Sequence, residues 1–470
     1  MVKVYIYDTR ARRKRVFEPI DSSNVTIYVC GPTVYDYIHI GNGLSAVVFD
    51  VFVRLMRIVY PTVTYVRNIT DIEDKIIAAS LENNEPYDEL TERFVEAFHE
   101  DMDALYVLAP DVEPRPTMLL PEITDMIERL LERGHAYVAE GHVLFSVQSF
   151  PEYGKLSNRS LEDMIDGARV EVAPYKRDPK DFVLWKPSSA ELPGWASPWG
   201  RGRPGWHIEC SAMIREHLGP TIDIHGAGSD LVFPHNENEI AQGRCVEDGV
   251  DYVNYWMHNG MLNLGGRKMS KSLGNVVSIK HLRSLHSNET IRYALLTGHY
   301  RQSLLWNERL LDQSRRSIDT LYRSLRHVAE KTGAEERTCA DFSQSPLEIF
   351  PDSVVAALSD DLHTPKALAE LHAIAREIQQ TQNTGTMRQL GEKLLAGAWL
   401  LGLLNRTPSD YFGSSEQIDA ETIESMLVER DEARARRDFA RADEIRAELA
   451  LSGIEIEDTK DGTRWSNRDR

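Results

Sequence analysis

The sequence lacks any stretch that approaches the roughly 18 consecutive apolar residues that a membrane-spanning helix requires. No apolar segment follows its basic first residues, so we expect neither a membrane anchor nor an export signal. Cysteine is also scarce, because only Cys30, Cys210, Cys245 and Cys339 occur among 470 residues. Their wide spacing argues against a disulfide framework and favours a reducing compartment, so we predict a cytoplasmic protein.

Positive charge is in the minority, because the chain has 54 Lys and Arg residues and 73 Asp and Glu residues, which gives a net charge of −19. This balance opposes indiscriminate coating of nucleic acid, so a polyanion must meet a local basic patch. The run from Tyr252 to Asn288 contains no Asp or Glu, and its positive residues are Arg267, Lys268, Lys271, Lys280 and Arg283. A solvated helix face is the alternative interpretation of this run.

The first part of the chain predicts an α/β domain. At about 150 residues per domain, the length suggests about three domains. Asn24 to Cys30 is β-branched and apolar, a Gly-Pro break follows, and apolar residues recur at helical spacing from Gly43. A second strand at Val63 to Ile69 leads into a helix near Asp71. This order of elements favours a Rossmann-like fold with a parallel sheet.

An insertion splits this predicted domain. A further helix, a hairpin at Ala136 to Val147 and an irregular tract from Trp185 to Gly205 precede new strands at Thr221 to His225 and Val253 to His258. The chain then reads as helical to Leu404, which predicts an α-helical bundle followed by a small C-terminal domain. The predicted boundaries are 1–118 and 201–262 for the split α/β domain, 119–200 for the insertion, 263–310 for the basic loop region, 311–405 for the bundle and 406–470 for the C-terminal domain.

Two short motifs suit phosphate chemistry. The first, His39-Ile40-Gly41-Asn42, lies between a strand and a helix start, where backbone N–H groups and the helix dipole favour anions. Gly41 allows close approach and His39 can donate to an oxyanion, although a turn with an incidental histidine would look the same. The second, Lys268-Met269-Ser270-Lys271-Ser272, is a basic loop whose two lysines suit a clamp on the charge that develops on a triphosphate.

The order of these motifs resembles the signature pair of class I aminoacyl-tRNA synthetases. Four longer segments narrow the resemblance to the cysteinyl-tRNA synthetase family: Tyr28 to Asp36, Arg67 to Asp71, Gly205 to Ser211 and Phe233 to Glu239. The resemblance covers nearly the whole chain. It implies that the region 263–310 contacts the tRNA stem, that the helical domain 311–405 binds the tRNA anticodon and that the domain 406–470 contacts tRNA. It implies a ligase that activates L-cysteine with Mg-ATP and esterifies it to the 3′ end of tRNA(Cys), with His39, Lys268 and Lys271 as catalytic residues. We further expect a monomer that contacts no membrane.

The resemblance also implies a metal site. It assigns one Zn²⁺ ion per chain to Cys30, Cys210, His235 and Glu239. Spacing alone would make this a poor zinc site, because an isolated cysteine is more often a small buried hydrophobe, although His235 and Glu239 can share one helix face. A metal suits the substrate, because apolar pockets discriminate near-isosteres such as cysteine and serine by only about 1–3 kcal/mol, whereas Zn²⁺ binds a thiolate. We assign Cys245 and Cys339 to packing.

Further site residues follow from the same resemblance. It implies that Gly31, Thr70 and Trp206 bind cysteine, although a core position is the alternative for Trp206. It implies that ATP contacts His39, Gly41, Asn42, Gly226, Gly228, Asp230, Lys268 and Lys271. In two places the chain departs from the family, which usually has histidine where Asn42 and Asn236 stand. Asparagine can donate a neutral hydrogen bond but cannot carry charge.

Three other functions remain open from the residues alone. A ligase that joins cysteine to an amino sugar would share every zinc and nucleotide residue, and only the arginine-bearing C-terminal third argues for tRNA. A non-catalytic zinc RNA-binding protein would leave the basic loop from Lys268 to Ser272 without a use. A simple nucleotidylyltransferase would not explain the zinc ligands.

The tail carries a possible RNA-binding face. Its arginines at helical spacing are Arg430, Arg434, Arg437 and Arg441. Four guanidinium groups on one stripe could contact tRNA phosphates in an otherwise acidic protein. The nearby Asp431, Glu432 and Asp438 make an internally paired, solvated face the alternative.

Overall fold

The computed structural model describes the chain apart from residues 1, 159–172, 248–249, 265–266, 269–276, 413–419, 437, 452–453, 460–461 and 468–470. Its strands are β1 Tyr5–Asp8, β2 Arg13–Val16, β3 Val25–Val29, β4 Val63–Arg67, β5 Ala136–Ala139, β6 His142–Phe145, β7 Phe182–Pro187, β8 Gly202–Pro204, β9 Ile222–Gly228, β10 Val253–Asn259, β11 Leu262–Leu264, β12 Arg267–Lys268, β13 Leu304–Trp306, β14 Ile454–Thr459 and β15 Gly462–Asn467. Its α-helices are α1 Ile40–Val59, α2 Asp74–Asn83, α3 Tyr87–Ala104, α4 Leu120–Glu132, α5 Trp206–Leu218, α6 Glu237–Val246, α7 Ile279–Arg283, α8 Asn288–Leu296, α9 Glu308–Thr332, α10 Asp352–Ser359, α11 Thr364–Gln380, α12 Thr384–Leu401, α13 Pro408–Phe412, α14 Ala420–Ala435 and α15 Phe439–Leu451. None of these described helices has the length and apolar character needed to cross a bilayer.

Four parallel strands form the central sheet in the order β10-β9-β3-β4. Strands that are covered on both faces read as near-continuous apolar runs, and β3 and β4 each bury four of their five residues. Helix α1 packs on this sheet and buries Phe49 and Phe52 in the main hydrophobic core. The Rossmann-like α/β fold predicted from the sequence is confirmed.

A second, antiparallel sheet with the order β5-β6-β7-β8 is inserted between β4 and β9. The prediction of an irregular tract from Trp185 to Gly205 was wrong in part. Strand β7 ends within it, and β8 lies at its end, where Pro204 pairs with Trp185 and Gly202 pairs with Pro187. Glycine and proline are tolerated there because β8 is an edge strand. Strand β8 can therefore be recognised only from its pairing with β7.

Helices dominate the described chain from β10 to Leu404, as predicted, but three short strands in this region were missed. Strand β11 pairs with β12 in antiparallel fashion and with β13 in parallel. Helices α8 to α12 pack around residues such as Ile318, Leu321 and Leu371. These side chains belong to the same continuous hydrophobic cluster as the core of the α/β domain. The bundle is therefore joined to the sheet domain by apolar packing.

A buried ionic group strengthens this junction. Asp50, Arg54 and Arg292 are 1%, 3% and 0% exposed. Arg54 Nε donates to Asp50 at 2.9 Å, while Arg292 donates to Asp50 and also to the backbone oxygen of Leu401 at 2.7 Å. Leu401 is the last residue of α12, so the group ties the helix that follows the His39 motif to the end of the bundle.

The C-terminal segment has a small core of its own. Helices α14 and α15 and the hairpin β14-β15 surround Ile423, Leu427, Ile445 and Leu449. Because α14 ends at Ala435 and α15 begins at Phe439, the predicted single arginine stripe is wrong. A helical period applies only along one unbroken helix.

The arginines of that stripe have separate surroundings. Arg430 on α14 is 4% exposed and contacts Asp431 and Thr463. Arg441 on α15 pairs with Glu429 and Glu444. Arg434 is exposed on α14, and Arg437 lies outside the described residues. Internal pairing, the alternative weighed from the sequence, therefore describes Arg430 and Arg441 better than an RNA-facing stripe.

Candidate functional site

A cleft of about 270 Å³ opens at the carboxyl ends of the four parallel strands. Its lining includes the last residue of each strand, namely Val29, Arg67, Gly228 and Asn259. Open parallel sheets bind their ligands at this edge. The residues predicted from the sequence that also line the cleft are Cys30, Gly31, His39, Gly41, Asn42, Trp206, Gly228 and Asp230.

The four predicted metal ligands come together beside this cleft. One ligand atom each from Cys30, Cys210, His235 and Glu239 lies within 4.8 Å of the other three. Cys30 is half-buried and lines the cleft, whereas the other three are buried. Sulfur, imidazole and carboxylate are the ligand types that Zn²⁺ takes, so the donor set fits the predicted ion.

Each ligand is placed by a different element. Cys30 follows β3 directly, and its backbone N–H donates to β9 at 3.0 Å. Cys210 lies near the start of α5 and Glu239 in the first turn of α6. His235 lies in a short helical turn that precedes α6, and its Nε2 is 3.1 Å from Glu239 Oε1. His235 and Glu239, the i, i+4 pair predicted to share a helix face, thus lie on either side of a helix junction, and their side chains are nevertheless in contact.

Buried charges set the protonation of the ligands. Burial by itself would raise the pKa of Glu239, but His225 and His235 outweigh it and hold this pKa well below the usual range. Burial would lower the pKa of His235, but Glu239 and Cys210 raise it to about 10. A hydrogen bond from Cys30 lowers the pKa of Cys210 against the effect of burial. Without a metal ion the cluster therefore favours a Glu239 carboxylate and a Cys210 thiolate, the forms in which these groups bind metals, and a protonated His235, which must release its proton when a metal binds.

Two histidines that the sequence analysis overlooked support the ligands. His225 Nε2 lies 2.9 Å from Glu239 Oε2, and His207 Nδ1 lies 2.9 Å from His235 Nδ1. Partners of this kind orient metal ligands in proteins. The available signal was a histidine inside the buried strand β9, because a buried polar side chain needs a partner.

Asn236, one of the two departures from the family pattern, is buried and hydrogen bonded on both sides. Its Nδ2 donates to Glu239 Oε1 at 2.9 Å, and its Oδ1 lies 3.0 Å from His258 Nε2. The amide holds the Glu239 carboxylate without adding charge to the cluster.

The three predicted cysteine-binding residues lie at different depths. Trp206 lines the cleft, and its ring centroid is 4.4 Å from that of His235, so it belongs to the wall of the ligand cluster. At Gly31 a Cβ atom would lie 1.5 Å from the backbone oxygen of Asn68, so only glycine fits. Thr70 is 2% exposed and is not among the described residues that line the cleft. Its contact with cysteine stays a prediction.

The first motif forms the start of α1 at the cleft. His39 is the N-cap residue, and Gly41 and Asn42 lie in the first turn. Gly228, which ends β9, and Asp230 line the cleft as well. These positions are compatible with the nucleotide contacts predicted for them.

Gly226 lies elsewhere. It is buried within β9, where a Cβ atom would come within 2.4 Å of Phe49 Cε1. The glycine thus permits close packing of α1 on the sheet. This position gives no support to its predicted contact with ATP.

Only part of the second motif lies among the described residues. The side chain of Lys268 and all of Lys271 lie outside the described residues. The chain that follows returns to the first motif, where His39 pairs with Ser278 in an antiparallel bridge flanked by backbone hydrogen bonds of 3.0 and 3.2 Å. The two motifs are therefore tied together through the backbone next to them.

Comparisons with known proteins agree with this site. Residues 16–316 match the family of tRNA synthetases class I (C) catalytic domains, 353–405 the DALR domain and 420–465 the cysteinyl-tRNA ligase anticodon binding domain. The cysteine–tRNA ligase of Rhodospirillum rubrum is 52% identical over 98% of this chain and 99% of its own length. The chain belongs to the cysteine–tRNA ligase family. A second member, from Parvibaculum lavamentivorans, is 51% identical over 99% of this chain and 98% of its own. The predicted family is confirmed.

Solved structures of other aminoacyl-tRNA synthetases have a similar fold. The methionyl-tRNA synthetase of Mycobacterium tuberculosis in complex with methionyl-adenylate has a TM-score of 0.56 at 14% identity, over 81% of this chain and 89% of that one. LeuRS of Agrobacterium radiobacter, in a ternary complex with tRNA, has a TM-score of 0.56 at 11% identity, over 83% and 84%. At such identities the fold alone is shared, and it is the class I synthetase fold.

Proposed function

We propose that the protein is a cysteine–tRNA ligase, which activates L-cysteine with Mg-ATP to cysteinyl-adenylate and transfers the cysteinyl group to the 3′ end of tRNA(Cys). The observation that carries this proposal is the shared cleft. The cluster of sulfur, imidazole and carboxylate groups opens through Cys30 onto the same cavity that His39 and Asp230 line. A cysteine substrate whose thiol lies at the cluster would have its carboxylate beside the nucleotide site.

Selection of cysteine is best explained by one Zn²⁺ ion held by Cys30, Cys210, His235 and Glu239. When bound, the ion would bind the thiolate of cysteine and leave the neutral hydroxyl of serine as a weak ligand. The residues of the chain prepare this selection, because His225 and Asn236 orient the Glu239 carboxylate. Chemical discrimination of this kind makes a separate editing site unnecessary.

Activation needs no side-chain nucleophile, since the carboxylate of cysteine attacks the α-phosphate and pyrophosphate leaves with Mg²⁺. We infer that His39 and the positive end of the α1 dipole stabilise the phosphate charge, because a helix N-terminus favours anions. Asp230 and Gly228 line the cleft; in this proposal Asp230 accepts hydrogen bonds from ribose hydroxyls and Gly228 leaves room for the nucleotide. Lys268 and Lys271 supply positive charge to the developing pyrophosphate.

tRNA is the acceptor that the C-terminal third supports. Residues 420–465 match an anticodon binding domain, which a ligase that joins cysteine to an amino sugar would not use. The full-length similarity to cysteine–tRNA ligases points the same way, so the amino-sugar activity is not favoured. The domain boundaries, the monomeric state and the cytoplasmic location given above stay predictions.

A two-step assay tests the function. Cysteine-dependent ATP–pyrophosphate exchange, with serine as the matched control, measures activation. Acceptor assays with tRNA(Cys) and with an amino sugar then identify the second substrate. Exchange with cysteine but esterification of the amino sugar alone would contradict the proposal, as would equal exchange with serine.

Removal of residues 413–470 should separate the two steps. The cut spares α13, because Tyr411 on that helix stacks on Tyr322 of the bundle with ring centroids 3.8 Å apart. We expect cysteine-dependent exchange to be retained, whereas the KM for tRNA should rise by roughly tenfold as phosphate contacts are lost, and the salt dependence of tRNA binding should weaken. Charging at moderate salt that equals that of the full chain would assign the tail to stability instead.

A further inference from the structure

The chain around the start of helix α6 makes contacts in two directions. His235 and Glu239 belong to the ligand cluster. Of the residues between them, Glu237 and Asn238 bond instead to residues 152–157, a segment between β6 and β7 that we call the insertion loop. All four side chains are at most 2% exposed. One short stretch of chain therefore joins the predicted metal site to the inserted part of the molecule.

The Glu237 carboxylate binds a set of backbone donors in the insertion loop. Its Oε1 accepts hydrogen bonds from the N–H groups of Gly154 at 2.9 Å and Leu156 at 3.4 Å, and its Oε2 accepts one from the Ser157 N–H at 2.9 Å. Neighbouring backbone N–H groups that converge in this way form a site for an anion. Because all three donors are backbone groups, this contact depends on the side chain of Glu237.

Two further contacts fasten the insertion loop along α6. The Tyr153 hydroxyl donates to Asn238 Oδ1, and Glu152 pairs with Arg244 at 2.7 Å. Arg244 lies near the end of α6, whereas Asn238 lies in the same first turn as Glu239. The loop is thus attached to both ends of the helix, and most closely to the turn that carries the metal ligand.

The start of α6 has no side-chain cap among the described residues. Its N-cap residue, Asn236, uses its amide group to contact Glu239 and His258 instead. Side-chain caps stabilise helix ends, so an end without one depends more on tertiary contacts. The bonds of Glu237 and Asn238 to the insertion loop are contacts of this kind.

We propose that Glu237 is a positioning residue for the metal ligands, through which the insertion loop keeps His235 and Glu239 in place. The proposal rests on the zinc site proposed above. A metal site requires its ligands to be held within about 0.5 Å of their working positions by the residues around them. His235 and Glu239 each lie two residues from Glu237, so a displacement of this turn moves both ligands.

Glu237→Gln tests the proposal, because it keeps the size of the side chain but replaces one acceptor oxygen by an NH₂ group that can only donate. We expect the Kd for Zn²⁺, measured by competition with a chromophoric chelator, to rise by roughly 10-fold to 100-fold. In the cobalt-substituted protein we expect altered absorption bands, since these bands report the geometry of the ligands. A native Kd together with a native cobalt spectrum would overturn the proposal.

Tyr153→Phe is a second and milder variant. It removes the hydroxyl that binds Asn238 and leaves every charge in place. We expect a smaller rise in the Kd for Zn²⁺ than in Glu237→Gln. Should Glu237→Gln fail to fold, native zinc affinity in Tyr153→Phe would contradict the proposal.

Asp181→Asn is the matched control. Asp181 is 1% exposed, and its carboxylate accepts hydrogen bonds from the Val147 N–H at 2.9 Å, the Asp178 N–H at 3.1 Å and the Tyr137 hydroxyl at 2.7 Å. The variant therefore makes the same chemical change on a buried carboxylate whose partners lie within the inserted part of the chain. We expect an unchanged Kd for Zn²⁺ and an unchanged cobalt spectrum. Changes equal to those in Glu237→Gln would indicate a general loss of stability, and the proposal would fail.

Coupling between two sites is reciprocal, so zinc should also affect the insertion loop. We expect zinc to slow hydrogen exchange of the backbone amides of residues 152–157 in the native protein, and to slow it less in Glu237→Gln. Equal protection in the two proteins would contradict the proposal. If the native protein bound zinc but showed no cysteine-dependent pyrophosphate exchange, the proposed function would fail, and the zinc affinities would still decide the role of Glu237.

Discussion

Replacement of Cys210 by serine is expected to remove the bound zinc and to lower kcat/KM for cysteine activation by more than about 10²-fold. Loss of a group that only orients a ligand typically costs 10-fold to 100-fold in metal affinity or activity, and loss of a ligand costs more. The physical reason lies in the cluster, where Cys210 supplies one of four ligand atoms that lie within 4.8 Å of one another. The native protein, purified without chelator, should contain about one zinc per chain by elemental analysis.

Cys245→Ser is the control for this experiment. Cys245 is 6% exposed on α6, in the same hydrophobic core as Cys210, and burial raises its pKa to about 12. The variant makes the same chemical change in the same hydrophobic core, but Cys245 is not one of the four residues of the cluster. We expect full zinc content and nearly native activity. Equal losses in the two variants, or an active native enzyme without zinc, would falsify the metal assignment.

Arg292→Met is expected to lower the free energy of unfolding by about 3–5 kcal/mol, the cost of breaking a buried ion pair from one side. Arg292 is fully buried and donates to Asp50 and to the backbone oxygens of Leu105 and Leu401, each at 2.7 Å. Methionine fills much of the space but leaves both oxygens without this donor. Denaturant unfolding measures the change.

Arg57→Gln, on α1, is the matched control variant. Arg57 lies one turn from Arg54 on α1 and pairs with Asp111 at 2.9 Å, but both side chains are partly exposed. Exposed pairs contribute about 0–1 kcal/mol, so we expect little change in the unfolding free energy. A loss in Arg292→Met as small as that in Arg57→Gln would mean that the junction between α1 and the bundle is held by apolar packing alone.

Local patterns predicted the elements well where burial repeats along one segment. Strands β3 and β4 are apolar on both faces, and the structure places them side by side in a parallel sheet. Local sequence patterns failed where an element is stabilised by residues that are distant in the sequence. Strand β8 contains glycine and proline and is stabilised by Trp185 and its neighbours on β7. The break between α14 and α15 likewise separates Arg430 from Arg441, because the small core turns the chain back on itself.

Within the site, prediction depended on the kind of residue. The motif at His39 could be interpreted locally, since a strand end followed by a helix start exposes backbone N–H groups. The metal ligands could not, because nothing in the spacing of Cys30 and Cys210 shows that β3 and α5 meet, and only the resemblance to a family joined them. His225 was not predicted because its partners in the cluster, Glu239 and Cys30, come from other parts of the chain.

The sequence by itself determined the α/β class, the helical C-terminal region, the family and the residue types available for thiol and phosphate chemistry. These properties depend on periodicity and on motifs that a few adjacent residues carry. The tertiary structure decided which side chains meet, from the four ligand atoms beside the cleft to the two histidines that contact the ligands. It also placed Gly226 within β9 against Phe49 and buried Arg430. The physical reason is that chain segments far apart in sequence become neighbours only when the strands pair and the helices pack.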